Sequence, residues 1–251
     1  MADPGGTMSL VASNLAGVRA RIVDAALRSG RAADSVRVVL VTKTVEPDRV
    51  REAIAAGARD LGENKVQEGR RKADALSDEP VRWSMIGHLQ SNKVKDALRF
   101  ASEVQSLDRL SLATALEKRL QFLGRGLDVL VQVNTSGEAS KFGLAPEDVP
   151  AFLKELAGFH ALRPKGFMTL ATFTPDEHEV RRCFQSLRDI RDRALHEAPQ
   201  GEHLTQLSMG MSGDFEWAVE EGATIVRVGQ AVFGPRALPN SHYWPGAAGA
   251  S

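Results

Sequence analysis

Short runs of apolar and β-branched residues alternate with amphipathic helical stretches along nearly the whole chain, and this alternation limits the folds available to it. A first helix is predicted from Ser9 to Ser29, with Leu10, Leu15, Val18, Ile22, Ala25 and Ala26 on one stripe. Val36-Arg-Val-Val-Leu-Val-Thr42 follows, with the near-continuous apolar texture of a strand buried on both faces. Pro47 opens the next helix and Gly57 stops it. Further strands are predicted over Arg59 to Gly62, Val81 to Ile86, Glu103 to Leu107, Leu127 to Val133, Leu162 to Leu170 despite Pro164, His203 to Ser208, and Thr224 to Val228. Helices are predicted between them: Val66 to Leu76, around Ser91 to Ala101, from a cap at Asp108 to Leu123, Pro146 to Ala157, Glu177 to His196, and Asp214 to Glu221. Eight strand-then-helix units, the eighth helix short or missing, imply a parallel sheet. In 251 residues they fit a single α/β domain, a (β/α)8 TIM-like barrel with an extra N-terminal helix. A doubly wound open sheet is the competing arrangement. Residues 1–8 read as a flexible leader, with Met8 an alternative start to Met1. Residues 9–238 read as the barrel, and the Gly- and Ala-rich residues 239–251 as a flexible tail.

Composition narrows the function classes. Lys and Arg total 32 and Asp and Glu total 32, so the formal net charge is zero and no bulk basic footprint for nucleic acid exists. The arginines from 181 to 193 read as a solvated helix face. The single cysteine, Cys183, excludes an internal disulfide and reads as a helix residue. The six histidines are scattered without metal-ligand spacing, and no Gly-x-Ser-x-Gly elbow is present. The N-terminus lacks the charged and apolar regions of a secretory signal, and no apolar run approaches the ~18 residues of a membrane span. A cytoplasmic protein is expected.

In such a barrel the site lies at the C-terminal ends of the strands. There the sequence collects Thr42-Lys43-Thr44, Gly62-Glu63-Asn64, Ile86-Gly87-His88, Asn134, Met168-Thr169, Ser208-Met-Gly-Met-Ser212 and Arg227-Val-Gly229-Gln230. Lys43 comes directly after an apolar strand. Partial desolvation there favours the neutral amine, which can form a Schiff base. A lysine that snorkels to the rim, or pairs with Glu63, satisfies the same position. The two glycine turns after the predicted seventh and eighth strands suit a phosphate, bound by exposed backbone N–H groups. Ser212 is placed as helix N-cap and phosphate ligand together; simple capping by Ser212 or Asp214 is the plainer alternative. Arg227, inside an apolar strand, needs a specific partner, and Glu220 or Glu221 would serve. His88 alone reads equally as a loop hydrogen-bonder.

These segments resemble the pyridoxal phosphate homeostasis proteins. The motifs are Val41-Thr-Lys43-Thr, Gly62-Glu-Asn-Lys-Val-Gln-Glu68, Ile86-Gly-His-Leu-Gln-Ser-Asn-Lys93, Ser208-Met-Gly-Met-Ser-Gly-Asp214 and Val226-Arg-Val-Gly-Gln-Ala-Val-Phe-Gly234. They fall in the family's order across Leu10 to Pro235. The resemblance implies a barrel similar to the N-terminal domain of alanine racemase. It also implies pyridoxal 5'-phosphate (PLP) held by Lys43 as a Schiff base. Ser212, Gly229 and the backbone of Gln230 would cradle the phosphate, with Met211 nearby. Arg227 would face the pyridine nitrogen, and Asn64 and His88 would lie by the ring. Gln230 departs from the threonine common there, which removes a side-chain hydroxyl, and Thr44-Val-Glu-Pro also departs from the common form.

Carrier and enzyme are the two main readings, and a phosphate-binding barrel that uses no aldehyde cofactor is a third. An arginine cannot accept the pyridinium proton, which weakens the ring as an electron sink, although racemases of the related fold share this feature. Racemisation needs acid–base groups on both ring faces. In alanine racemase the opposite-face tyrosine comes from a separate C-terminal domain across a dimer. The only tyrosine here, Tyr243, falls in the predicted tail. The expectation is a monomeric, non-catalytic PLP-binding protein that helps hold vitamin B6 and amino and keto acids steady. Its partners would be PLP-dependent apo-enzymes, with transfer through a second lysine such as Lys65 or Lys141. The alternative is an amino-acid racemase or decarboxylase of the same fold class.

Overall fold

The structure, a computed structural model, describes residues 8–235. Most of the predicted leader, all of the predicted tail, and Tyr243 lie outside the described residues. Eight parallel strands close in sequence order: β1 (Arg37–Val41), β2 (Asp60–Glu63), β3 (Arg82–Met85), β4 (Glu103–Leu107), β5 (Leu127–Gln132), β6 (Leu162–Met168), β7 (Gln206–Ser208) and β8 (Ile225–Val228). Closure is made by β1 against β8, with Leu40 opposite Val228. The open-sheet alternative is therefore excluded.

The helices are α1 (Leu10–Arg28), α2 (Pro47–Ala55), α3 (Val66–Ala75), α4 (Val94–Ala97), α5 (Leu110–Leu123), α6 (Val149–Leu156), α7 (Glu177–Glu197), α8 (Phe215–Glu220) and α9 (Gln230–Phe233). Helix α1 starts where Ser9 Oγ accepts the Ala12 N–H, and it packs against α2, α8 and α9. Asn14 donates its side-chain N–H to the Val232 carbonyl at 3.0 Å. Each large aliphatic residue buried on α1 contributes roughly 1.5–3 kcal/mol to that docking.

Five local expectations need correction. Leu10 is exposed, and Val11 takes its place on the buried stripe of α1. The helix expected from Ser91 to Ala101 is a 3-10 turn (Ser91–Lys93) followed by the single turn of α4. Beyond it the Ser102 N–H binds the Trp83 carbonyl at 2.9 Å, which draws the chain into β4. Asp108 does not cap α5, whose cap position is Arg109; its carboxylate binds the Arg109 guanidinium instead. The strand expected from His203 shrinks to three residues, because Gly201–His203 form a 3-10 turn. The arginines of α7 are not one solvated face: Arg181 and Arg188 reach Glu221, and Arg191 reaches the Thr205 carbonyl. These pairs fasten α7 to α8 and to the approach to β7.

The main apolar core lies between strands and helices. Inside the barrel, Val39, Leu130, Met168 and Ile225 form a separate small cluster. The rest of the lumen is crossed by polar bonds, some of which join strands that are not neighbours in the sheet. Ser208 on β7 donates to Gln105 Oε1 on β4 at 2.7 Å, and Gln105 Nε2 donates to Glu103 Oε2 at 2.7 Å. Arg37 on β1 donates to Glu103 Oε1 at 2.7 Å, and Ser84 on β3 donates to its Oε2 at 2.7 Å. Every buried polar group in this string has a partner, which is the condition for such a string to be tolerated in a low-dielectric interior.

Candidate functional site

The strand ends bring the expected residues to one mouth of the barrel. Lys43 is half-buried two residues beyond the end of β1, and β1 lies between β2 and β8. Val41 is paired with Gly62, while the Gly229 backbone packs on the Val41 carbonyl so closely that a Cβ would stand 3.0 Å from its oxygen. Lys43, Asn64 and the turn after β8 are thereby held side by side. The loop after β3 joins them because Gly87 lies directly against Asn64: a Cβ on Gly87 would sit 2.3 Å from the Asn64 carbonyl oxygen. That contact sets His88 beside Asn64.

Two ring neighbours expected from the sequence carry buried atoms with no hydrogen-bond partner, Asn64 Oδ1 and His88 Nδ1. Nδ1 of His88 is 3.4 Å from Asp108 Oδ2 without hydrogen-bond geometry, and its ring stacks on Phe142 at 3.9 Å between centroids. Buried polar atoms without partners are costly; Nδ1 of His88 faces Asp108, while Asn64 Oδ1 is left for a polar ligand to satisfy.

The turns after β7 and β8 bring backbone N–H groups together. Ser212 Oγ accepts two backbone N–H bonds, from Gly229 and from Ala231, each at 3.2 Å. Two convergent amide donors are the chemistry of a phosphate cradle, and here a hydroxyl oxygen receives them. Ser212 is not the cap of α8; Asp214 stands there, and its carboxylate accepts the Met211 N–H rather than a helix amide. Burial pushes the Asp214 carboxyl up, against the pull of that N–H and of the Arg227 charge. Met211, next to Ser212, is half-buried, and Gln230 is exposed. Ala231 was missed in the sequence, because its side chain carries no signal and only its N–H contributes.

Arg227 is buried in the lumen just below the mouth, and the expected pairing with Glu220 or Glu221 is not made. Its guanidinium donates to Ser208 Oγ and to the Thr169 carbonyl, each at 2.7 Å. Glu220 is held by Arg28 and Arg181, and Glu221 by Arg181 and Arg188. Burial pushes the Arg227 guanidinium down to about 10, opposed by the charge of Asp214, so it remains cationic at neutral pH. Glu63, offered by the sequence as a partner for Lys43, has Oε1 bound by Thr42 at 2.6 Å and by Lys72 at 2.7 Å. Among the described residues no group of His, Cys, Asp and Glu is placed to hold a metal ion. None of the described helices is long and apolar enough to cross a membrane.

Fold and site together define a closed (β/α)8 barrel with a lysine, a buried arginine and two backbone N–H groups converging on a serine hydroxyl at one mouth. The family model of the alanine racemase N-terminal domain matches residues 18–237. A protein of Pseudomonas aeruginosa named pyridoxal phosphate homeostasis protein is 43% identical over 229 residues, 91% of this chain and 97% of that protein. The structure of PipY from Synechococcus elongatus with PLP bound is 34% identical, with a TM-score of 0.80, covering 89% of this chain and all of that one. Alanine racemase from Corynebacterium glutamicum shares the fold at 14% identity and a TM-score of 0.63, and this chain spans 62% of its length. The chain belongs to the pyridoxal phosphate homeostasis protein family.

Proposed function

We propose that this protein binds pyridoxal 5'-phosphate at the barrel mouth and acts in the intracellular homeostasis of vitamin B6 and of amino and keto acids, without catalytic turnover. The observation that carries the reading is the pair of N–H donors from Gly229 and Ala231 converging on Ser212 Oγ, at the same mouth as Lys43. The partnerless Asn64 Oδ1 fits the same ligand. When bound, the cofactor supplies an aldehyde that a lysine amine attacks with loss of water. Lys43 would hold it covalently, Ser212 with the Gly229, Gln230 and Ala231 backbone would hold its phosphate, and Met211 would border that group. Asn64 and His88 would flank the ring.

Arg227 would face the pyridine nitrogen. Anchored by Ser208 and Thr169 and cationic at neutral pH, it has no capacity to accept a proton there. That favours holding the cofactor over activating it as an electron sink. The names of the relatives describe homeostasis rather than a reaction. On this reading the protein works in the cytoplasm as a monomer and passes its cofactor to PLP-dependent apo-enzymes.

The test is α-hydrogen exchange. The PLP-loaded protein is incubated with L- and D-amino acids in deuterated water, and deuterium at the α-carbon is followed by NMR. The carrier reading expects exchange no faster than free PLP gives at equal concentration. Turnover well above that background would establish the alternative, a racemase or decarboxylase of this fold.

A further inference from the structure

Lys72 is fully buried, and its position is not that of an ordinary helix lysine. It reaches from the last turn of α3 to the end of β1. There it donates to the Thr42 carbonyl, to Glu63 Oε1 at 2.7 Å and to Glu68 Oε1 at 2.7 Å. All three ammonium protons are thereby used, which accounts for a lysine with no exposed surface. Glu68 Oε1 also accepts the Thr44 N–H at 2.6 Å. One buried lysine thus holds the peptide carbonyl just before Lys43, and its carboxylate partner holds the amide just after it. Directly after the held amide the chain turns into an unusual shape, with Thr44 at φ 63°, a region that β-branched residues rarely occupy. Backbone strain of this kind persists only where surrounding bonds impose it.

We propose that Lys72 and Glu68 are positioning residues for Lys43: together they clamp the Thr42 carbonyl and the Thr44 amide so that Lys43 is presented to the mouth from a fixed backbone. This role rests on the reading of Lys43 as the residue that bonds the cofactor. Glu63 completes the clamp by sharing the Lys72 charge, and Thr42 Oγ1 ties it to the top of the strand.

The experiment compares wild type, Glu68→Ala, Glu68→Gln, Lys72→Met and Lys43→Ala without cofactor and with added PLP. Without cofactor, hydrogen exchange of the Thr44 amide is read by NMR, and acetic anhydride labelling of Lys43 is read against exposed Lys65. With cofactor, the rate of borohydride-trapped incorporation at Lys43 is read by mass spectrometry. In Glu68→Ala the Thr44 amide is expected to exchange at least ~10-fold faster, since its acceptor is gone. Labelling and trapping at Lys43 are expected to change several-fold in the same variant, trapping roughly 10-fold slower. Gln retains an acceptor oxygen for the Thr44 N–H and is expected to restore most of both readouts. Lys72→Met is expected to act in the same direction; if it does not fold, the partly exposed Glu68 pair decides. Unchanged Thr44 exchange in Glu68→Ala, or changed exchange with unchanged labelling and trapping at Lys43, would overturn the proposal. If the wild type carries the trapped cofactor on another lysine, the Lys43 reading fails and the assigned role with it. That failure is distinct, because the Thr44 readout needs no cofactor.

Discussion

Thr44 pays for the geometry of its neighbour. A left-handed backbone costs a residue with a Cβ about 1–2 kcal/mol, and glycine is free of it. Replacing Thr44 by Gly adds unfolded-chain entropy of about 0.4–1 kcal/mol, so a net gain of about 0.5–1 kcal/mol is expected in urea denaturation. A loss of stability would show that Thr44 makes contacts worth more than its strain. Ser212 offers a second test. Without its hydroxyl, the Gly229 and Ala231 amides lose their acceptor in the ligand-free protein, and a bound phosphate loses one donor. Ser212→Ala is expected to weaken PLP binding by about tenfold in equilibrium dialysis, in line with a hydrogen bond to a charged group. Unchanged affinity would move the phosphate away from this turn. Lys43 and Ser212 were legible in the sequence because strand ends and glycine turns announce themselves. Lys72 was not, because a lysine four residues after a glutamate reads as a solvent-facing pair. Only its reach from α3 to the Thr42 carbonyl and to Glu63 shows that this lysine is buried.

At the scale of elements, α7 and α8 are tied by charge. Glu220 binds Arg28 of α1 and Arg181 of α7, and Arg181 also holds Glu177 and Glu221. Burial alone would raise the Glu220 carboxyl, but its hydrogen bonds to Arg181 and Arg28 outweigh that and hold it below the ordinary value of 4.5. A carboxyl lowered in the folded state adds stability above its unfolded pKa, and the gain is lost as pH falls through the folded value. Melting temperatures from about pH 6 down to about pH 3 are therefore expected to fall less steeply in Glu220→Gln than in wild type. Parallel curves would mean that these exposed pairs are screened to nothing. The helices themselves were legible from apolar spacing, with α7 and α3 matching expectation within a residue or two. The segment around Ser91 was not, because its apolar residues serve a tight turn into β4. The glutamate partners of the α7 arginines come from another element, so spacing along α7 could not reveal them.

For the molecule as a whole, the order and number of strands followed from eight short strand segments alternating with helices, and the closed barrel agrees with them. The contents of the lumen did not follow. Glu103, Gln105 and Ser208 look in sequence like polar interruptions of strands, and only closure of the barrel brings β4 opposite β7. Their string ends on Arg227, so the interior that stabilises the barrel also orients the arginine at the mouth. Gln105→Leu removes both links at once and leaves Ser208 without its acceptor. A loss of about 2–3 kcal/mol in urea denaturation is expected, as for a buried polar group deprived of its partner. A neutral effect would mean that water or a rearranged Arg227 restores the string.

The measurement that bears most directly on function is the visible spectrum of the purified protein with added PLP, before and after borohydride, followed by peptide mapping. The wild type is expected to be yellow, to bleach on reduction, and to carry the pyridoxyl group on Lys43, while Lys43→Ala stays colourless. A wild-type protein that remains colourless, or that carries the group elsewhere, would contradict the assignment of this barrel mouth as a PLP site anchored by Lys43.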